Sequence, residues 1–231
     1  MNKETFKTPI LLIAWRRPEK TLKVIEKIKQ INAQKIYIAC DGYIKSNKTN
    51  INKVNETRKV LNDYINWKCE VKKLFCDYNQ GCKKGVSNAI TWFFKNEKEG
   101  IILEDDCLPH QDFFYFCEEM LKKYRSDDRI WSITGQNIQN KVWHGGDASY
   151  YFSKYSHCWG WASWRRCWGK YDRDIKSWPK YKESKILHNL FDRKIEINYW
   201  ERIFDNLYFR AKPDTWDYQW TYTCLINSGL T

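Results

Sequence analysis

The sequence lacks any apolar run of the roughly 20 residues that a membrane-spanning helix needs. Residues 1–5 show no apolar signal region. The four histidines are scattered, and no two of the nine cysteines stand in a C-x-x-C arrangement, which argues against a zinc site. Cysteines in odd number and at irregular spacing are typical of reduced thiols. These absences predict a cytoplasmic protein whose membrane contact, if it has any, is peripheral and at the inner face of the cell membrane.

Two glycine-rich phosphate-binding signatures are also missing. The sequence contains neither the G-x-G-x-x-G dinucleotide fingerprint nor the P-loop lysine motif. A nucleotide bound by this chain would therefore have its phosphates held by side chains and a metal ion rather than by a glycine loop.

Basic and aromatic residues, by contrast, are abundant. Lysine and arginine number 40 against 28 acids, which gives a net charge of +12, and aromatic residues make up 17% of the chain, with 13 tryptophans. The positive charge attracts nucleotides, nucleic acid or an anionic membrane face without choosing among them. With 231 residues, the chain is long enough for one large domain or two small ones.

Apolar runs of strand length alternate with segments in which apolar residues recur at helical spacing. The predicted strands cover residues 9–15, 35–40, 71–76, 101–103 and 130–134, with a predicted helix between each pair. This alternation predicts βαβ units, and hence an α/β fold with a mixed, mainly parallel sheet flanked by helices in a single domain.

Charged residues follow three of these strands. Arg16 and Arg17 follow the first, Asp41 the second, and three acids at 104–106 the fourth. The carboxyl ends of parallel strands lie at one edge of the sheet, where ligands bind. Acids can hold Mg²⁺ or Mn²⁺, and arginine can bind phosphate. A solvated loop or turn explains each group singly, whereas the three together predict a nucleotide-sugar site.

The second half of the chain is rich in aromatic residues. Residues 157–168 are dense in Trp and Arg, whose side chains bind sugars and the bases of single-stranded nucleic acid, although a core helix explains about half of these tryptophans equally well. Asp217 stands among aromatic residues at 215–220. Burial among rings raises the pKa of a carboxylate, which suits a general base, and a helix-capping role explains Asp217 equally well.

Together these segments resemble the GT-A glycosyltransferases, specifically the bacterial family-2-like enzymes that share motifs with N-acetylglucosaminyltransferase I of N-glycan synthesis. The specific part of the resemblance is the acid motif with Pro109 and the two phenylalanines that follow it. The matching segments span nearly the whole chain in the family's order: residues 13–18, 41–42, 103–106, 109–114, 159–161 and 216–217.

The resemblance implies a metal-dependent, inverting transfer of a sugar from a nucleotide-diphospho-sugar such as UDP-GlcNAc, with Mn²⁺ or Mg²⁺ as cofactor. The acceptor would be a hydroxyl of a glycan or lipid-linked glycan in bacterial surface polysaccharide or lipopolysaccharide synthesis. By position, Asp106 would be the metal ligand and Asp217 the catalytic base. Asp41 would recognise the nucleobase of the donor, and Gly160 with Trp161 would shape the sugar pocket. The residues implied to contact the nucleotide-sugar are Arg17, Asp41, Lys84, Glu104, Asp105, Gly160, Trp161 and Trp216.

The same resemblance divides the domain by role. Residues 1–135 would form the nucleotide-sugar-binding α/β half, and residues 136–231 the half that binds donor sugar and acceptor and supplies the base. Members of the family normally continue with a further strand and loop, so the resemblance implies a site that is shortened at Thr231.

Three other functions stay open. A sugar-phosphate nucleotidyltransferase shares the sheet architecture and ranks second among the enzymes, because residues 14–18 lack the glycine-rich loop expected there. Single-stranded nucleic-acid binding fits the charge and the aromatic residues, but three acids at a strand end would repel phosphate, so we expect no nucleic-acid partner. A non-catalytic protein that binds a nucleotide-sugar is the third.

Overall fold

The computed structural model describes residues 5–138 and 147–231, in which six strands form one sheet. The strands are β1 (Ile10–Ala14), β2 (Lys35–Cys40), β3 (Glu70–Phe75), β4 (Glu99–Glu104), β5 (Ser132–Thr134) and β6 (Trp161–Trp164). Their order is β3-β2-β1-β4-β6-β5. The first four run parallel, while β6 is antiparallel to both β4 and β5. The predicted mixed, mainly parallel α/β sheet is confirmed.

Within the described ranges, four helices connect the parallel strands and β5, and five more, of 4 to 17 residues, follow the last strand. The helices are α1 (Pro18–Gln30), α2 (Lys48–Asp63), α3 (Gly81–Asn96), α4 (Gln111–Lys123), α5 (Arg165–Trp168), α6 (Trp178–Glu183), α7 (Ile186–Leu190), α8 (Lys194–Arg210) and α9 (Asp217–Ile226). None of the helices within the two described ranges is long and apolar enough to cross a membrane.

The central strands are buried along nearly all of their length, because helices cover both faces of a parallel sheet. Every residue of β1 is buried, and in β2 only Lys35 is partly exposed. The edge strand β3 is more open and carries Lys72 and Lys73, and charges of this kind discourage edge-to-edge pairing. This burial explains why β1 and β2 read as continuous apolar runs, whereas β3 does not.

The Trp-rich segment is a strand followed by a single helical turn. Three of its four tryptophans are core residues, as the core interpretation expected, but only Trp168 is helical. Trp161 and Trp164 of β6 are both fully or nearly fully buried, although they point to opposite faces of the sheet. Trp161 packs against Trp216 and Trp220 of the α9 region. These contacts join the second half of the chain to the sheet core. The division of roles between residues 1–135 and 136–231 stays a prediction.

Candidate functional site

The carboxyl ends of β1 and β4 are joined by direct contacts between charged and polar groups. The backbone amide of Trp15, just after β1, donates to Asp105 Oδ2 at 3.1 Å. The Arg17 guanidinium lies 3.3 Å from Asp105 Oδ1 and makes a closer ion pair with Asp106. One arginine therefore offsets the charge of two consecutive carboxylates at the edge of the sheet.

The two carboxylates differ in accessibility. The Asp105 side chain is 7% exposed and is held by Trp15 and Arg17, whereas that of Asp106 is 44% exposed. Burial raises the pKa of Asp105, and the charge of Arg17 with the Trp15 amide acts against that rise. Asp106 is thus the carboxylate open to a ligand, and Asp105 the one that fixes the loop.

Glu104, the last residue of β4, lies partly buried among other acids. Burial raises the pKa of Glu104 to about 7, and the negative charges of Asp106, Asp105 and Asp217 add to the rise. A hydrogen bond from the Trp216 side chain acts in the opposite direction. The carboxyl group of Glu104 is therefore partly protonated and partly ionised near neutral pH.

The start of α9 brings Trp216 and Asp217 to the same edge. The Tyr171 hydroxyl donates to the Trp216 carbonyl at 3.1 Å, and the Thr215 hydroxyl donates to Asp217. Asp217 is partly exposed as the first residue of α9. The structure thus places the predicted base beside Glu104, and the Thr215 contact is of the kind expected of a helix-terminal acid.

Asp41 follows β2 as expected, but its carboxylate is already engaged. It accepts from the amide of Gly42 at 2.8 Å, the side chain of Asn79 at 2.8 Å and the amide of Gln80 at 3.0 Å. Gly42 is required at this turn, because a Cβ there would lie 2.3 Å from the backbone of Tyr78. These contacts hold Asp41 against the loop that leads into α3. They leave few lone pairs on its carboxylate for a hydrogen bond with a nucleobase.

The remaining predicted site residues lie around this edge at different depths. Lys84 is exposed in the first turn of α3. Gly160 has φ +78° and lies next to Leu103 and Phe113. Trp161 is fully buried and Trp216 nearly so, and their rings stack at 5.7 Å. Both tryptophans therefore pack in the core next to the site and offer almost no surface to a ligand.

A cleft of about 1280 Å³ opens beside Asp106. Its lining includes Lys20 from α1, Phe113 from α4, and Trp159 with Gly160 before β6. Sequence reasoning recognised the aromatic residues but not Lys20, because nothing in α1 marks it apart from the other lysines of that helix. The cleft is large enough for a second small molecule next to the carboxylates.

Asp214 is a further residue that the sequence analysis missed. Its two oxygens accept from the backbone amides of Cys82 at 3.1 Å and Lys83 at 3.3 Å, at the start of α3. A carboxylate is favourable at a helix N-terminus, where amides lack partners within the helix. Asp214 thereby fixes the segment before Asp217 against α3, and no local sequence signal marks such a distant contact.

The described parts of the chain contain no group of three or more His, Cys, Asp or Glu side chains arranged to hold a metal ion. Of the two carboxylates that pair with Arg17, Asp106 is the exposed one. Mg²⁺ is commonly bound by one or two carboxylates together with substrate phosphates.

No protein-family model matches the sequence, and no curated protein matches it. Among solved structures, the chain is similar to a cytidylyltransferase from Leptospira borgpetersenii serovar Hardjo-bovis, with 11% identity, a TM-score of 0.43 and coverage of 79% of this chain and 73% of that one. It is also similar to a 4-diphosphocytidyl-2C-methyl-D-erythritolsynthase from Anaerococcus prevotii, with 8% identity, a TM-score of 0.39 and coverage of 71% and 76%.

The prediction of a glycosyltransferase is corrected on this comparison. The similar structures are a cytidylyltransferase and a diphosphocytidyl-compound synthase, and neither is a glycosyltransferase. The UDP-sugar donor, the glycan acceptor and the role in surface polysaccharide or lipopolysaccharide synthesis are withdrawn with it. Because the identities are low, the chemistry of this chain has to follow from its own residues.

Proposed function

We propose that the carboxyl ends of β1 and β4 bind a nucleoside triphosphate with a divalent cation, and that the protein transfers the nucleotidyl group to a phosphate-bearing second substrate. The observation that carries this proposal is the contact of Arg17 with Asp105 and Asp106 at the ends of two adjacent parallel strands. This edge of an α/β sheet is the usual place for a ligand, and polyphosphate needs positive charge there.

Asp106, supported by Asp105, would hold the Mg²⁺ or Mn²⁺. When bound, the cation would offset the negative charge that develops on the leaving pyrophosphate. Arg17 already balances both carboxylates, so a cation that replaces it would leave a guanidinium free to face the phosphates. A guanidinium binds phosphate through paired N–H groups. Arg17 would thus supply the phosphate-binding N–H groups that a glycine-rich loop provides in other nucleotide sites.

In this proposal neither Glu104 nor Asp217 acts as a general base. A phosphate oxygen that attacks the nucleotide is already ionised, so this reaction needs no residue to remove a proton from it. Asp217 helps to raise the pKa of Glu104 to about 7, after burial and the charges of Asp106 and Asp105. A carboxyl group that is partly protonated at neutral pH could donate a hydrogen bond to a phosphate or hydroxyl oxygen of the substrate.

The second substrate would enter through the cleft beside Asp106. Lys20 lines this cleft and supplies a positive charge for its phosphate, while Phe113 and Trp159 offer flat apolar walls. Asp106 both lines this cleft and pairs with Arg17, so the two ligands would meet at the same carboxylate.

Calorimetric titration of each common ribonucleoside triphosphate, with and without Mg²⁺, tests the proposed function. We expect Mg²⁺-dependent binding that weakens at least about tenfold, about 1.4 kcal/mol, in Asp106→Ala. Asp128→Ala is the matched control, because that side chain is 96% exposed and lies away from the strand ends. Pyrophosphate release on addition of sugar phosphates would then identify the second substrate. Unchanged binding in Asp106→Ala, or no binding of any triphosphate, would overturn the proposal.

A further inference from the structure

Helix α8 presents apolar side chains to the outside. Ile195 is 76% exposed and Phe209 68%, and Tyr199 and Tyr208 are also exposed. Ile195, Tyr199 and Phe209 recur at spacings of four and ten residues, which puts them on one side of an α-helix. Exposed apolar side chains that share one side of a helix are typical of a surface that binds a protein or a membrane.

The core does not need these side chains, because α8 buries a different face. Ile197, Trp200, Phe204 and Leu207 are buried and belong to the cluster formed with α6, α7 and α9. One apolar face of the helix therefore packs against the core. A second, smaller apolar patch lies on its outer side.

Basic residues surround the outer patch. The exposed cations on and next to α8 are Arg193, Lys194, Arg202, Arg210 and Lys212. Arg202 lies 5.9 Å from the centre of the Tyr199 ring, within the patch. The patch thus combines positive charge with apolar and aromatic groups.

The acids of the same helix are engaged elsewhere. Glu196 accepts from the Tyr155 hydroxyl at 2.7 Å, and Asp205 pairs with Lys182 at 2.6 Å. Glu201 lies 4.0 Å from His188 of α7. Their contacts are with neighbouring elements of the fold. Asp192 is an exposed acid next to the helix, so the five exposed cations leave the outer side of α8 with an excess of positive charge.

We infer that the outer face of α8 docks on the surface of an anionic lipid bilayer. Tyrosine and phenylalanine bind at the boundary between headgroups and acyl chains, and lysine and arginine are attracted to anionic lipids. A second copy of the chain fits poorly, because both faces would carry the same charge in a protein of net charge +12. This inference does not depend on the proposed nucleotide site.

The test is co-sedimentation with vesicles of phosphatidylcholine alone and of phosphatidylcholine mixed with phosphatidylglycerol. We expect the protein to bind the mixed vesicles and to be released by salt. Ile195→Glu with Phe209→Glu should weaken binding at least about tenfold, since two apolar side chains that would be buried in the bilayer boundary are replaced by charged ones. Ile44→Glu with Tyr64→Glu changes the charge equally at exposed positions outside α8 and should bind more tightly than the α8 variant.

Three results would overturn the inference. They are equal binding of the two double variants, equal binding to neutral and anionic vesicles, and failure of the unmodified protein to bind either. Thermal unfolding and nucleotide binding without vesicles should be unaffected by the α8 substitutions, because both side chains are exposed and lie outside the strand-end site.

Discussion

Glu104 shows how the fold alters the chemistry of a single residue. Burial, first, and then the negative charges of Asp106, Asp105 and Asp217 raise the pKa of its carboxyl group from an ordinary value of 4.5 to about 7. The folded protein therefore keeps a proton on Glu104 at pH values where the unfolded chain has released it. Folding stability must depend on pH as a result.

The sign follows from the direction of the shift. Between pH 4.5 and 7 the folded state binds more protons at Glu104 than the unfolded state does, so the free energy of unfolding falls as pH rises. Glu104→Gln is neutral at every pH. We expect this variant to match the unmodified protein near pH 4.5 and to exceed its stability above pH 7. The gain should be about 3 kcal/mol at most.

Urea unfolding at a series of pH values, without divalent cations, measures this difference. Glu26→Gln removes one carboxylate from an exposed position of α1 and separates the effect from a general change in charge. A stability difference that stays constant with pH would contradict the assignment of the proton to Glu104.

Residue patterns predicted the meeting of Arg17 with Asp105 and Asp106, because each follows a strand of a parallel sheet and parallel strands end at one edge. The same argument applied to Asp41 does not reveal its hydrogen bonds with Asn79 and Gln80. These partners come from the loop after β3, and a one-dimensional pattern cannot say which loop folds over a strand end.

Strand β6 shows where pattern reading fails for a whole element. Its four residues, WASW, are buried on both faces, so they show neither helical spacing nor the alternation of a half-exposed strand. Its position between β4 and β5 depends on antiparallel pairing with residues far away in the chain. The parallel strands β1, β2 and β4 were predictable because each is a largely buried apolar run with a periodic helix after it.

Removing the Trp161 ring from β6 should destabilise the protein and disturb the site together. Trp161 is fully buried and stacks on Trp216, whose side chain hydrogen-bonds Glu104. We expect Trp161→Ala to lower the free energy of unfolding by about 3–5 kcal/mol, as for other buried aromatic truncations. Denaturant unfolding measures this loss.

Trp159→Ala is the matched control, since the same ring two residues earlier is 73% exposed. It should change stability by no more than about 0.5 kcal/mol. Similar losses in both variants would contradict the description of β6 as the strand that anchors Trp216.

At the scale of the whole molecule, the buried residues of the two described ranges form two cores. The larger one surrounds the sheet, and the smaller one lies among α6, α7, α8 and part of α9. Helix α9 takes part in both, with Trp220 in the sheet core and Tyr222 in the helical one. Because α9 begins at Asp217, the acid edge lies where the two cores meet.

This arrangement predicts that the helical core can open while the sheet stays closed. Phe204 is fully buried in the helical core, with ring centres 5.2 Å from Trp178 and 5.1 Å from Tyr222. Phe204→Ala should therefore lower amide-exchange protection in α6, α7 and α8 by about 3–5 kcal/mol and leave β1, β2 and β4 largely protected. Native-state hydrogen exchange resolves the two regions.

Phe93→Ala is the comparison from the sheet core, where the Phe93 ring lies 5.0 Å from Tyr37. It should lower protection in both regions, because α9 joins the helical core to the sheet core that holds Trp216 and Trp220. If Phe204→Ala instead loosens the strands as much as the helices, the two cores unfold as one cooperative unit. Any opening of α8 would then also open the strand-end site, which would couple docking at the outer face of α8 to nucleotide binding.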